Sequence, residues 1–340
     1  MLVGKKQSRV ISGITLTILS VGLVAVITPI VWMFTSALKS QNAVNTMPPQ
    51  FIPQEQVKVE IEGKDYFLYN IPVDGEMRQL ALLEKDGPMG TFVNPENVEE
   101  QYFLPVADGE RVTQVKLHWE NFKLAVNQIP FWRYLLNTMI VVTFGTIGTV
   151  ISCTLVAYGF SRFKAKGLGI LFIILLSTMM LPSQVTLIPA FIVFRKIGWY
   201  DTLLPLIVPA FFANAYDVFL LRQFMMRLRP ELDDAARIDG CGPLGILWHV
   251  IIPQCYPVLA TVTIFTILYF WNDFYSPLIY LQSPEKLTLA VGLQSFSALY
   301  TKQTHLLMSA SFLVLLPPIL LFFFSQKVFI QGVVISGIKG

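Results

Sequence analysis

Apolar and polar positions along this chain fall into long blocks. Residues 11–38 form the first apolar run, preceded by Lys5, Lys6 and Arg9. A stretch of that length crosses a bilayer core of about 30 Å with some tilt. It is longer than the apolar core of a cleavable signal peptide. Five further runs follow, at about 134–160, 168–194, 203–221, 256–280 and 307–324. Gly145 and Gly148 in the second allow close helix packing. Prolines interrupt the third (Pro182, Pro189), the fourth (Pro205, Pro209) and the sixth (Pro317, Pro318); such breaks persist at membrane depth where neighbouring helices or water cover the freed carbonyls. The pattern predicts an all-α polytopic membrane protein with six transmembrane helices. Arg162, Lys164 and Lys166, then Arg222, Arg227 and Arg229, and finally Lys327 and Lys339, fall on the side of the N-terminus. Basic loops stay inside, so both termini are expected to be cytoplasmic, in a multi-pass protein of the cell (inner or plasma) membrane. Arg195 and Lys196 are the exception.

Between the first two runs the period changes. Val57–Ile61 alternates as a strand does, Glu62–Asp65 reads as a turn, and Tyr66–Val73 as the return strand. Gln101–Val106 and Arg111–Trp119 read as further strands, punctuated by Asp86-Gly87-Pro88 and Asp108-Gly109. Tyr66, Phe67, Tyr69, Phe92, Tyr102, Phe103 and Trp119 argue against a disordered loop. The expected organisation is a tail and first span over 1–50, a small β-rich extracytoplasmic insertion over 51–120, and a membrane core of five spans over 121–340.

One polar stretch, Glu231–Gly240 running on to Pro253, lies between the fourth and fifth apolar runs. Leu232, Ala235, Ala236 and Ile238 interleave with Asp233, Asp234, Arg237 and Asp239 at helical spacing. Glu231, Asp233 and Asp234 crowd the expected helix start, where the dipole favours acids. Gly240 supplies a stop and Pro243 a second start. The result is a helix-turn-helix with a small Ala face, suited to docking in a cleft on another protein.

Composition narrows the classes. The 340 residues are 54% hydrophobic and only 14% charged, with mean hydropathy +0.58. Residues 53–120 carry 14 acids against 6 bases, a net −8 within an overall +3; the rest of the chain is therefore basic, which excludes an evenly charged soluble domain. None of Cys153, Cys241 and Cys255 lies in the acidic block, so no disulfide staples it. The three histidines are far apart, no metal cluster is suggested, and no nucleic-acid partner is expected. The polar stretch has no paired nucleophile and base, so the chain is not expected to be an enzyme; no glycine-rich phosphate loop of the form G-x-x-x-x-G-K-[ST] occurs, so it is not expected to bind ATP itself.

Asp234-Ala235-Ala236, Gly240, Val250 and Ile252-Pro253 resemble, in spacing, the EAA signature of binding-protein-dependent ABC importer permeases. Asp234 stands where the family has Glu, and Cys241 where Ala or Ser is usual. Tyr158–Phe163, Phe270–Leu278 with its Trp-Asn-Asp-Phe, Leu287–Leu293 and the tail Phe324–Gly332 resemble the carbohydrate branch of that family, of the maltose-transporter kind, although Val328 departs from the usual aromatic. The block at about 55–115 falls outside the common pattern. The resemblance implies a type I ABC importer permease fold. It implies a second permease subunit, an ATPase subunit dimer that carries ATP and Mg, an extracytoplasmic solute-binding protein and an oligosaccharide or related glycoside as substrate, in contact with membrane lipid. It also implies alternating access driven by the coupling helix, residues 230–253.

On that reading Glu231, Asp234, Ala235, Ala236, Asp239, Gly240 and Pro253 are the candidates for coupling to the ATPase. Polar groups inside spans are costly and often functional, which makes Asn137, Gln184, Asn214, Tyr269, Asn272 and Asp273 candidates for the substrate path. Capping or interhelical bonding is the alternative for Asn272 and Asp273, and an interfacial aromatic belt for Tyr269 and Trp271. Asp217 is expected to pair with Arg222. The loop at about 284–305 matches the family's scoop loop in position, and Gln294, Ser295, Tyr300 and Gln303 are candidates to touch the binding protein. The acidic insertion is a candidate platform that steers that protein into place. An ion-coupled secondary transporter and a membrane-anchored sensor are the competing classes; the first would show internal repeats and more buried charge, and the second would not need the coupling motif.

Overall fold

The computed structural model describes the backbone of residues 2–73, 75–297 and 303–337, and side chains over 12–73, 75–182, 185–297 and 303–326. The chain divides into two compact units, residues 1–125 with 296–312, and residues 126–295 with 313–340.

The first unit begins with α1 (Leu2–Ala37) and a short α2 (Gln41–Val44). Apolar side chains such as Leu16, Val21 and Val26 stay exposed along α1, as a lipid-facing helix requires. Eight strands follow: β1 (Gln54–Gln56), β2 (Lys58–Ile61), β3 (Lys64–Val73), β4 (Glu76–Asp86), β5 (Met89–Asn94), β6 (Asn97–Pro105), β7 (Glu110–Arg111) and β8 (Thr113–Val115). β2 to β6 form an antiparallel meander in chain order, β7 also pairs with β3, and β1 pairs with β8 in a separate two-stranded ladder. Register places Tyr69 opposite Leu80 and Leu82 opposite Phe92. Tyr69, Ile71, Val73, Leu80 and Phe92 thus form one core, while Ile61, Ala81 and Val93 form another. The hairpin at Glu62–Asp65 is as expected, but β4 and β5 were not foreseen. The expected strand over Arg111–Trp119 is two short pieces, and α3 (Glu120–Gln128) begins just beyond it. From α3, Asn121 donates to the carbonyls of Ala37 and Lys39 at 2.8 Å each, and Ser309 Oγ donates to Ala37 O at 3.1 Å. Those bonds satisfy carbonyls that the end of α1 leaves open.

The second unit is helical: α4 (Phe131–Arg162), α5 (Leu168–Ser177), α6 (Ser183–Lys196), α7 (Leu204–Ile207), α8 (Ala215–Met225), α9 (Glu231–Ile238), α10 (Pro243–Ile246), α11 (Ile252–Gln254), α12 (Tyr256–Asn272), α13 (Tyr275–Tyr280), α14 (Leu289–Gly292) and the C-terminal part of α15 (Thr304–Gly337). Among the described residues four helical segments are long and apolar enough to cross a membrane: Ser12–Ala37, Phe131–Arg162, Leu204–Met225 and Thr304–Gln326. Two further pairs pass together but are bent, by 100° at the break before Val185 and by 83° at Cys255. Pro182 breaks the third apolar run as expected, but Pro189 lies inside α6, and Pro317 and Pro318 lie inside an unbroken α15. The fifth run departs from a single span to residue 280, because the helix stops at Asn272 and restarts at Tyr275.

α4 is the helix around which this unit packs. A Cβ on Gly145 would lie 2.6 Å from Phe270 Cε2, and one on Gly148 would lie 2.6 Å from Phe211 Cδ2, so both glycines are needed for the close approach. The fourth run opens up at Val208–Phe212, a tighter 3-10 turn, and Ala213 takes φ +51°. α4 fills the backbone gaps there. Ser152 Oγ accepts from Ala213 N and donates to Ala210 O at 3.1 Å each, and Cys153 Sγ accepts from Asn214 N at 3.3 Å. Non-helical backbone survives at membrane depth when buried in protein and bonded in this way.

Candidate functional site

Residues 228–255 form the polar unit. α9 starts directly after Pro230, with Glu231, Asp233 and Asp234 in its first turn. It ends in a Schellman closure: Cys241 N donates to Ala236 O at 2.9 Å and Gly240 N to Arg237 O at 3.0 Å. Gly240 holds φ +84°, the left-handed conformation that favours glycine. Pro243 then opens α10, a π-helical turn occupies Leu247–Ile251, and Pro253 sits in α11.

The two faces of α9 differ from the expected Ala face. Ala236 is 7% exposed and packs with Ile246, Leu247 and Ile251 against Cys153, Ala157, Val218, Leu221 and Met225. Ala235, Glu231, Asp234, Asp239 and Gly240 face outward. Ala236 therefore belongs to the inner seam, because the 3.6-residue period rotates it away from Ala235. The outward surface is instead made apolar by Ile238 (87% exposed), Leu244 (71%) and Trp248 (68%), a concentration of exposed large side chains of the kind that marks an interaction site.

Asp233 is the buried acid of α9. Its carboxylate lies 3.3 Å from Arg162 Nε, and both side chains are less than a tenth exposed. Arg162 also donates to Leu228 O through both terminal nitrogens at 3.3 Å. One turn earlier on α4, Tyr158 OH donates to Pro243 O at 3.0 Å. The last turn of α4 thus grips the unit at the start of α9 and at the start of α10. By contrast the Asp234–Arg237 pair is exposed and contributes little.

The opposite end of α4 carries a second fastening. Asn137 Nδ2 donates to Glu285 O and Leu287 O at 2.9 Å each, Arg133 Nε donates to Glu285 O at 3.3 Å, and Thr138 Oγ1 accepts from Leu289 N at 2.9 Å. The same loop is tied from its other side by Asp201. Asp201 Oδ1 accepts from the backbone N of Gln282 and Ser283 at 2.9 Å each, and Oδ2 accepts from Ser283 Oγ at 2.5 Å and Lys286 Nζ at 3.0 Å. The Ser283 hydroxyl, helped by those backbone donors and by Lys286, holds the Asp201 carboxyl well below the usual carboxylate range. At a 1.5 Å rise per residue, Asn137 and Arg162 stand about 37 Å apart along α4. One continuous helix therefore joins the polar unit to the loop at its far end.

Of the substrate-path candidates, Asn137 is buried and occupied with that loop. Asn214 caps α8: its Oδ1 accepts from Asp217 N, and its Nδ2 donates to Asp217 Oδ2 at 2.7 Å. The expected Asp217–Arg222 pair does not form; Arg222 Nε donates to Phe160 O and its guanidinium lies over the Phe172 ring. Tyr269 and Asn272 are exposed three residues apart on α12, and the Asn272 amide donates to Leu268 O. Asp273 accepts from Ser276 N and so starts α13. Trp271 is buried: its indole N–H donates to Val314 O at 3.2 Å, the carbonyl left open because Pro318 has no N–H. The Gln184 side chain and Tyr300 lie outside the described residues. Gln294 and Ser295 are exposed, while Gln303 N donates to Phe296 O. The Arg162–Asp233 pair and the Asp201–Ser283 tie left no sign in the sequence, since no local pattern joins residues 71 and 82 positions apart.

Helices long and apolar enough to cross a membrane, joined by a polar helix-turn-helix with an outward apolar face, define a multi-pass membrane protein. The chain belongs to the family of binding-protein-dependent transport system inner membrane components, whose model matches residues 148–335. It is 33% identical over 210 residues to the arabinooligosaccharides transport system permease protein AraQ of Bacillus subtilis (strain 168), covering 62% of this chain and 74% of that one. It is 30% identical to the probable ABC transporter permease protein YurM of the same strain, over 74% of this chain and 81% of the relative. It is 31% identical to the sn-glycerol-3-phosphate transport system permease protein UgpE of Salmonella typhimurium (strain LT2), over 65% and 79%. Among solved structures it resembles a chain of a bacterial ABC transporter involved in the import of the acidic polysaccharide alginate, with TM-score 0.66, 20% identity, and 94% of this chain and 96% of that chain covered. The fold is therefore that of a type I ABC importer permease.

Proposed function

We propose that the chain is one of two permease subunits of an ATP-driven, binding-protein-dependent importer of an oligosaccharide or related glycoside. The observation that carries this reading is the Glu231–Pro253 unit, gripped by α4 and turning Ile238, Leu244 and Trp248 outward. That surface meets an ATPase subunit, and ATP with Mg is held by the ATPase dimer. Each bent helix pair counts as one span, so six helices cross the membrane. Both termini and the polar unit lie in the cytoplasm, while the β-rich region and the 281–297 loop lie outside, toward the solute-binding protein. Glu231, Asp234, Ala235, Asp239 and Gly240 serve the ATPase contact, and Ala236 and Pro253 serve the unit's shape. Tyr269 and Asn272 are the path residues with free surface, and Gln294 and Ser295 the described groups available to the binding protein. Movement of the ATPase dimer shifts α9, and α4 carries it as a rigid rod to the far loop.

The relatives named for arabinooligosaccharides and for sn-glycerol-3-phosphate set the substrate test. The complex, reconstituted with its binding protein, is assayed for ATPase stimulation across neutral oligosaccharides, acidic oligosaccharides and glycerol phosphates. Stimulation by a saccharide supports the reading. Stimulation by glycerol phosphate alone overturns the substrate class while leaving the transport role.

A further inference from the structure

A basic cavity lies where α4 turns into α5. It has a volume of about 510 Å³, and its wall includes Phe160, Phe163, Lys164, Lys166, Leu168 and Arg222. None of the three cations has an acid within ion-pair distance among the described residues. Arg222 is held in place: Nε donates to Phe160 O at 3.2 Å and the guanidinium carbon sits 4.0 Å from the Phe172 ring centroid. Its two terminal nitrogens stay available, in the fork geometry that suits phosphate oxygens. Lys164 and Lys166 are exposed at the rim.

The cavity is placed at headgroup depth. α4 ends at Arg162, α5 starts at Leu168 and α8 ends at Met225, so three apolar helices meet their polar boundary there. From the same corner an exposed apolar ridge runs along α5 through Ile170, Leu171, Ile173 and Ile174, each more than half exposed. A cationic mouth continuing into an apolar ridge fits a molecule with a phosphate at one end and acyl chains at the other. A free phosphate ion would leave the ridge unused.

We propose that this cavity binds the phosphate headgroup of an anionic glycerophospholipid, with Arg222 and the two lysines on the phosphate and an acyl chain along α5. Basic pockets between helices at the membrane surface recognise such headgroups, each cation contributing roughly a fivefold gain in affinity. The proposal concerns a structural lipid and stands apart from the identity of the transported solute.

The test is native mass spectrometry of the full chain purified free of lipid and titrated with dioleoyl phosphatidylglycerol, dioleoyl phosphatidylcholine or inorganic phosphate. Wild type should retain one phosphatidylglycerol at concentrations where phosphatidylcholine is retained about tenfold less. Lys164→Gln/Lys166→Gln should weaken phosphatidylglycerol binding by about 25-fold, two fivefold losses, while Lys85→Gln/Lys123→Gln, with the same loss of charge elsewhere, should not. In wild type, raising salt should release phosphatidylglycerol before phosphatidylcholine, a readout that needs no variant. Equal retention of the two lipids, or an unchanged affinity in Lys164→Gln/Lys166→Gln, would overturn the proposal. Displacement of the lipid by millimolar inorganic phosphate would reassign the cavity to a free anion.

Discussion

Removing one side of the Arg162–Asp233 pair should disconnect the polar unit from α4. Both side chains are less than a tenth exposed, and one oxygen of Asp233 has no hydrogen-bond partner, so the pair leans on its geometry. Asp233→Ala leaves the Arg162 guanidinium buried with only Leu228 O to accept from it. The cost of an orphaned buried charge is about 3–5 kcal/mol. For a unit of this size each kcal/mol lowers the midpoint of unfolding by about 2–4 °C, so the single variant should melt about 6–20 °C lower. Replacing both partners by apolar residues of similar volume, Arg162→Met with Asp233→Leu, removes the orphan and should recover most of that loss. Two readouts complete the double-mutant cycle: thermal midpoint, and solute transported per ATP hydrolysed in proteoliposomes. The single variants should hydrolyse ATP with poor transport, and the double variant should regain transport as the apolar contact re-attaches the unit. If the single effects simply add, within about 0.5 kcal/mol, or if Asp233→Ala transports with the wild-type ratio, the grip of α4 on the unit has no part in coupling.

Three further outcomes follow from the same geometry. Ile238→Glu and Ala235→Glu, both at outward positions, should leave the stability of the fold within about 1 kcal/mol of wild type but abolish copurification with the ATPase; Ala236→Glu should instead destabilise the fold. Trp271→Phe should cost about 1–3 kcal/mol by orphaning Val314 O, and adding Pro318→Ala should restore stability, because the new backbone N–H reaches that carbonyl; a destabilised double variant would count against this. The Asp201 carboxyl is lowered in the fold, so its stabilisation is complete above an unfolded value near 4 and is lost as pH falls below it. Hydrogen exchange at Gln282 and Ser283, corrected for intrinsic rate, should therefore lose protection below about pH 4 in wild type. In Asp201→Asn protection should be weaker at neutral pH and flat with pH, and identical profiles would remove the Asp201 tie.

The polar unit was legible because its punctuation is local. Gly240 and Pro243 each act on the backbone within a residue or two, and the structure uses them as the stop and the second start. The facing of Ala236 was not legible, since an eight-residue helix between two apolar spans has no solvent side fixed by pattern alone. β4 is the clearest miss. Glu76-Met-Arg-Gln-Leu-Ala-Leu-Leu-Glu-Lys-Asp86 is made of good helix formers, yet it is the central strand, because cross-strand partners on β3 and β5 bury Leu80 and Ala81. Pro182 announced a break, but Pro317 and Pro318 lie inside an unbroken α15, and nothing local showed that Trp271, 47 positions before Pro318, would take up the carbonyl that Pro318 leaves open. Long-range fastening of that kind leaves no periodic trace.

The most direct test of the account is photo-crosslinking from position 238 in the assembled complex. With a photoreactive residue replacing Ile238, capture of the ATPase subunit is expected in both the nucleotide-free and ATP-bound states. That capture should be lost when Gly240→Pro disrupts the turn beneath it. Capture of lipid alone, or of the second permease subunit in place of the ATPase, would contradict the assignment of this surface and with it the route by which α4 is driven.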